Sequence, residues 1–175
     1  IPLRLVGSEM CIRDSNAGIE ADVTVTRMSE TGYLVVTPAA SRLADQTWML
    51  RHKGNFNVVI TDITAGEGVL AVMGPNSRKL LEIVSPNDFS NAKNPFGTSQ
   101  EIEIGMGLAR AHRVTYVGEL GWEIYVSSDM AGHVFETLWE AGQTQNARLC
   151  GMHMMDSCRI EKGFRHFGHD ITCED

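Results

Sequence analysis

Two short stretches set carboxylates beside hydroxyls or aromatic rings at spacings that suit chemistry. In "GIEADVTVTR" (residues 18–27), Glu20, Asp22, Thr24 and Thr26 fall on one face of a strand, and Ile19, Ala21, Val23 and Val25 on the other. A polar strand face is by default a solvated one. On a face that lines a cavity, Asp22 could take or hold a proton and the Thr24 hydroxyl could orient a ligand. In "YVGELGWE" (116–123), Tyr116, Glu119, Trp122 and Glu123 crowd a turn that holds two glycines. The plain reading is a hairpin with solvated charges. The functional one is a seat for a flat heterocycle, because a carboxylate accepts two parallel N–H bonds from an amidine-like edge and aromatic rings stack on its faces. A third cluster, "MDSCRIEKG" (155–163), puts Arg159 within i,i+3 reach of Asp156, which reads as a structural ion pair.

These residues need a scaffold, and the hydrophobic pattern supplies one. The strand over 18–27 is followed by a turn at 29–32 and a second strand, "YLVVTP", giving a hairpin. Ser41 is placed to cap a helix running to His52, with Leu43, Thr47, Trp48 and Leu50 near one side. "NVVITDIT" (57–64) and "GVLAVMGP" (68–75) read as strands around a polar turn, and Pro75 opens a short helix carrying Leu80, Leu81 and Val84. A loop rich in Pro, Asn and Ser (85–97) leads to three strand-like runs, 99–105, 108–118 and 121–127. An amphipathic helix follows, with Met130, Val134, Phe135, Leu138 and Trp139 on one face, Ser128 as cap and Gly142 as stop. A last helix covers 151–162 and ends at Gly163. This order predicts an α+β fold with mixed or antiparallel sheets and helices packed on them. "GMG" at 105–107 leads into more strand and lacks a third glycine, so it is not a dinucleotide loop.

Composition narrows the function classes. The 175 residues are 43% hydrophobic and 21% charged, ordinary for a globular chain with a real core. The net charge is −7 and the 15 basic residues are scattered, which argues against nucleic acid as a partner. No apolar run approaches the roughly 18 residues of a membrane span. Cysteines at 11, 150, 158 and 173 form no C-x-x-C pair and read as reduced thiols. His166 and His169 lack a second ligand pair at zinc spacing, so no metal site is expected.

From "AGIEADVTVTR" to "RHFGHDIT" the chain resembles the folate-binding aminomethyltransferase domain, found as the glycine cleavage T-protein and as the C-terminal half of dimethylglycine and sarcosine dehydrogenases. Four markers carry the resemblance in order: "GIEADVTV", "GVLAVMGPNSRKLL", "RVTYVGELGWEIYV" and "DSCRIEKGFRHFGHDIT". "EADVTVTR" and "RIEKGFRHFGHDIT" look more like the dehydrogenase branch. The resemblance implies tetrahydrofolate binding and capture of a one-carbon unit as 5,10-methylenetetrahydrofolate, after a flavin domain has oxidised an N-methyl amine. It implies Asp22 as the catalytic aspartate with Thr24 beside it, and Glu123 as the holder of the pterin edge, with Tyr116 and Glu119 completing that motif. Stand-alone T-proteins carry an arginine where this chain has Met155, so no folate contact is assigned there. The family's flavin-binding domain and C-terminal barrel would make up the rest of the protein, FAD belonging to the former. The chain then reads as a fragment truncated at both ends, inactive alone, from a cytoplasmic protein if bacterial and a mitochondrial-matrix protein if eukaryotic. A stand-alone aminomethyltransferase and a non-catalytic regulatory paralogue are the competing readings.

The opening "IPLRLVGSEMCIRDS" does not fit the domain expected at 16–175. Its apolar part is too short and too broken by charge for a signal peptide, and Pro2 and Gly7 interrupt any helix. "VGSEMCIRDS" resembles translated adapter sequence, which would carry no evolved function and would remove Cys11 from the thiol count. Deleting residues 1–15 is expected to leave the thermal unfolding midpoint unchanged; a drop of several degrees would show that this stretch belongs to the fold.

Overall fold

The computed structural model describes residues 12–13 and 18–172. They form two compact units: residues 12–13, 18–63 and 166–172 in the first, and Thr64–Arg165 in the second. The first unit has two small antiparallel pairings, β1 (Ile12–Arg13) with β2 (Ile19–Ala21) and β3 (Thr24–Arg27) with β4 (Tyr33–Val36). β1 thus draws two residues from the opening stretch; residues 1–11 and 14–15 lie outside the described residues. The β3–β4 hairpin is the expected one, with Thr24 opposite Val36 and Arg27 opposite Tyr33.

Helix α1 (Arg42–His52) starts where expected, but Ser41 makes no backbone cap. Its hydroxyl donates instead to Asp45 Oδ2 at 2.6 Å, and the Thr37 hydroxyl donates to the same oxygen. Asp45 is consequently the residue α1 buries, while Leu43 and Leu50 stay exposed, the reverse of the apolar face expected for it. The strand expected over 57–64 does not form: the segment carries no ladder among the described residues, and Val59 is 89% exposed. Strand-like composition cannot make a strand without a partner edge to pair with. Arg42 ties this segment to α1 through Asp62 at 2.7 Å.

The second unit is built on a four-stranded antiparallel sheet in the order β5-β8-β7-β6. Its strands are β5 (Glu67–Met73), β6 (Ser99–Ile104), β7 (Gly107–His112) and β8 (Gly121–Ser127). The strand expected to run to residue 118 stops at His112, and 113–120 forms the connection to β8. One face is apolar: Ile102 and Ile104, Ala109 and Ala111, and Trp122, Ile124 and Val126 are all buried there. Two helices cover it, α2 (Ser77–Val84) through Leu80 and Leu81, and α3 (Ala131–Gly142) through Val134 and Leu138. Phe135 and Met152, by contrast, are exposed.

Trp122 fixes the loop over 85–97. Its indole N–H donates to the buried Asn94 side chain, Phe89 meets its ring edge-on at 5.7 Å, and the Arg113 guanidinium lies 4.5 Å from the ring centroid. The last helix, α4 (Met152–Glu161), holds Arg159 almost fully buried; it donates to Asp156 at 2.9 Å and to the Phe164 carbonyl at 3.1 Å, the ion pair expected from the i,i+3 spacing. Gly163 ends that helix at φ +75°, a backbone conformation that favours glycine.

Leu81 is fully buried in this core and Leu43 is exposed on α1. Leu81→Ala is expected to cost about 2–5 kcal/mol in urea unfolding. Leu43→Ala should stay within about 0.5 kcal/mol. Equal costs for the two would contradict the assigned core.

Candidate functional site

Asp22 sits at a break. β2 ends at Ala21 and β3 begins at Thr24, so Asp22 and Val23 are off both ladders. The interruption shifts the alternation. Ala21 and Val23 are buried as expected, but beyond the break it is Thr26 that is buried, while Val25 is only half-buried. Thr26 therefore leaves the polar face assigned from the sequence, and its hydroxyl has no hydrogen-bond partner among the described residues. Asp22 itself is half-buried. Burial pushes its carboxyl above the usual range, and the charge of His166 opposes that rise. His166 lies far along the chain, in the closing part of the same unit, and no local signal connects the two.

Glu123, Tyr116 and Glu119 belong to the second unit. Glu123 is on β8, between Trp122 and Ile124, so it projects from the sheet face opposite the core. The same face carries Tyr125 on β8, His112 and Arg110 on β7, and Ser99 on β6; the registers place His112 opposite Glu123 and Arg110 opposite Tyr125. The Tyr125 hydroxyl donates to Glu123 Oε2 at 2.6 Å. Burial first, and the neighbouring carboxylate second, push the Tyr125 phenol far up, so it stays a donor. The His112 ring packs on Tyr125 with centroids 4.4 Å apart. His112 is fully buried, neither ring nitrogen has a hydrogen-bond partner among the described residues, and burial together with the Arg110 charge lowers its pKa to about 4. It is therefore a neutral, flat packing surface at neutral pH.

Tyr116 is half-buried in the 113–120 connection. Glu119, at the outside of that connection, pairs with Lys162 at 3.6 Å, so its carboxylate is engaged on the surface. The connection is pinned by the Leu120 carbonyl, which accepts from Gly74 N–H at 2.7 Å and from the Ser77 hydroxyl at 3.1 Å. Met155 is half-buried on α4. A separate apolar groove of about 600 Å³ runs beside β5, lined by Leu80, Phe135, Leu138, Trp139 and Leu149 among others, and none of the five candidate residues lines it.

Chemically, the β8 face offers a carboxylate with one oxygen held by a permanent donor and the other, Oε1, without a hydrogen bond among the described residues. That is an acceptor pair for a planar N–H edge. The Asp22 break offers a half-buried carboxylate whose affinity for a proton is raised. Tyr125 and His112 escaped the sequence reading, although Tyr125 stands two residues from Glu123 and a period of two puts both on one face.

Known proteins show the same architecture. The aminomethyltransferase T of the glycine cleavage system from Bartonella henselae superposes with a TM-score of 0.76 over 94% of this chain and 42% of its own, at 24% identity. Residues 9–175 match the GCVT N-terminal domain, and the chain belongs to that family. Among curated proteins it is 44% identical over 158 residues to the 4-methylaminobutanoate oxidase (formaldehyde-forming) of Paenarthrobacter nicotinovorans, covering 90% of this chain and 19% of the oxidase. It is 32% identical to the mitochondrial dimethylglycine dehydrogenase of Homo sapiens, covering 89% of this chain and 18% of the dehydrogenase. The chain thus spans about a fifth of the length of these relatives. Among the described residues no helix is long and apolar enough to cross a membrane.

The raised pKa of Asp22 has a sign that can be checked. A carboxyl whose folded pKa exceeds its ordinary 3.8 favours folding while protonated, and that stabilisation is lost as pH rises through the folded value. Asp22→Asn is expected to raise the thermal midpoint at pH 7, the gain shrinking as pH falls toward about 4. An unchanged or lower midpoint at pH 7 would count against a costly buried charge.

Proposed function

We propose that this chain is the tetrahydrofolate-binding part of a flavin-dependent N-methyl amine dehydrogenase of the dimethylglycine and sarcosine type, where the one-carbon unit is captured as 5,10-methylenetetrahydrofolate. The observation that carries this reading is the Glu123 carboxylate, set on an ordered strand and tied through one oxygen to Tyr125. A pterin presents an adjacent amide N–H and amino group, the donor pair such a carboxylate accepts. Tyr116 and Glu119 lie in the connection just before Glu123 and are assigned to the same ligand. Tetrahydrofolate supplies the nucleophilic amines that take up the one-carbon unit. Asp22 accepts the proton that an attacking amine must lose, a role for which a raised pKa suits a carboxylate, and Thr24 orients the ligand beside it. Oxidation of the amine, with its FAD, belongs to a flavin domain elsewhere in the full protein, and a small C-terminal barrel completes the aminomethyltransferase part. The domain is taken to occupy residues 16–175, with 1–15 foreign to it. The compartment follows the source, cytoplasm in a bacterium or mitochondrial matrix in a eukaryote.

A second reading has a specific observation behind it. The 44%-identical relative is named as formaldehyde-forming, which would make this chain part of an oxidase that releases the one-carbon unit. Product analysis separates the two, since only capture consumes tetrahydrofolate.

In the full protein, Glu123→Gln is expected to weaken tetrahydrofolate binding about tenfold or more, as loss of a charge-assisted hydrogen bond does, measured by calorimetric titration. Asp22→Ala should keep amine oxidation and lose methylenetetrahydrofolate formation. Normal methylenetetrahydrofolate production by the Asp22 variant would remove that residue from the mechanism, and free formaldehyde from the unmutated protein at saturating tetrahydrofolate would favour the second reading.

A further inference from the structure

The face of β8 that carries Glu123 holds a second ordered element. A lone glutamate on a strand is a mobile carboxylate with several rotamers, and a ligand that needs one carboxylate plane must pay the entropy of fixing it. Here that freedom is already restricted. Tyr125, two residues on and on the same face, is buried and donates its hydroxyl to Glu123 Oε2 at 2.6 Å. The Tyr125 ring cannot easily swing away, because the buried His112 ring packs on it at 4.4 Å with a 34° tilt. His112 is opposite Glu123 in the β7–β8 register, yet its nitrogens make no hydrogen bond among the described residues. It packs against the phenol and does not compete for the carboxylate.

We propose that Tyr125 is a positioning residue for Glu123: its phenol holds Oε2 and turns the carboxylate so that one fixed plane, with Oε1 unengaged, faces a planar ligand edge carrying two parallel N–H groups. The inference rests on the tetrahydrofolate reading above and adds to it a specificity element, with His112 as the packing surface behind it. The alternative is that the Tyr125–Glu123 bond only satisfies a buried phenol. The two roles differ in what they do to ligand choice. A bond that merely stabilises the sheet affects every ligand of the site alike. A bond that aims the carboxylate affects only ligands that use both N–H groups, because an aimed acceptor pair discriminates against an analogue lacking one donor.

The test compares tetrahydrofolate with its analogue lacking the 2-amino group, titrated calorimetrically into the full protein. The unmutated protein should prefer tetrahydrofolate by about tenfold or more. Tyr125→Phe, which keeps the ring on His112, should weaken tetrahydrofolate by about five- to tenfold and leave the analogue within about twofold, so that the preference collapses. Adding Tyr125→Phe to Glu123→Gln should change neither affinity further, since the two act through one contact. Parallel weakening of both ligands in Tyr125→Phe, or an undiminished preference, overturns the positioning role and leaves the tetrahydrofolate reading standing. Failure of the unmutated protein to bind tetrahydrofolate overturns both. Should Tyr125→Phe not fold, a crystal structure of the unmutated protein with tetrahydrofolate decides. A retained phenol–carboxylate hydrogen bond with the pterin amide N–H and amino group on the two carboxylate oxygens supports the role, and a phenol–carboxylate separation beyond about 3.5 Å overturns it.

Discussion

β8 is hydrogen-bonded on both sides, to β5 along its whole length and to β7 from Val126 back to Glu123. A strand paired on both edges cannot slip by one residue without turning every side chain to the wrong face. Trp122, Ile124 and Val126 are locked into the core, and Glu123 and Tyr125 are therefore locked out of it. The position of the candidate ligand carboxylate is thus a by-product of burying a tryptophan. Trp122 adds its own demands. It needs Asn94 for its indole N–H and gathers Phe89 and Arg113 around its ring, so the long loop before β6 is ordered by the same residue that sets the register of the site.

The second face of the sheet is costly. His112 is buried with both nitrogens unpartnered among the described residues, and Arg110 on the same strand and Ser99 on β6 each leave a buried polar atom without a bond among them. Buried polar groups normally find partners. In the first unit Thr26 shows the same pattern, close in sequence to Asp22, whose carboxyl is itself penalised by burial. Polar groups held in this way tend to mark functional surfaces, where stability is sacrificed for chemistry. The contrast with Arg159 is informative. It is equally buried, but its bonds to Asp156 and to the Phe164 carbonyl account for its place, and it reads as structure.

Much of the fold was legible because it follows from local rules. The alternation in "GWEIYVS" and "SQEIEIG", the apolar stripe that buries Val134 and Leu138, and Gly163 after the last helix each specify an element from a handful of neighbours. The four sequence markers pointed to the family that the match over residues 9–175 shows. The misreadings share a cause. "NVVITDIT" has strand composition and no pairing edge among the described residues, α1 has apolar residues that remain exposed, and "GIEADVTVTR" alternates throughout yet breaks at Asp22. In each case a neighbour far along the chain, or its lack among the described residues, decided the outcome.

By itself, then, the sequence determined which residues alternate and where helices stop, and it offered Asp22, Thr24, Tyr116, Glu119 and Glu123 as candidates only. Periodicity and capping are properties of adjacent residues, so they can be read without a fold. The tertiary structure alone decided that Asp22 sits in a strand break within the field of His166, that Glu119 is engaged by Lys162, and that Tyr125 and His112 stand beside Glu123. Burial, charge proximity and cross-strand packing are sums over residues distant in the chain, and only folding brings those residues together.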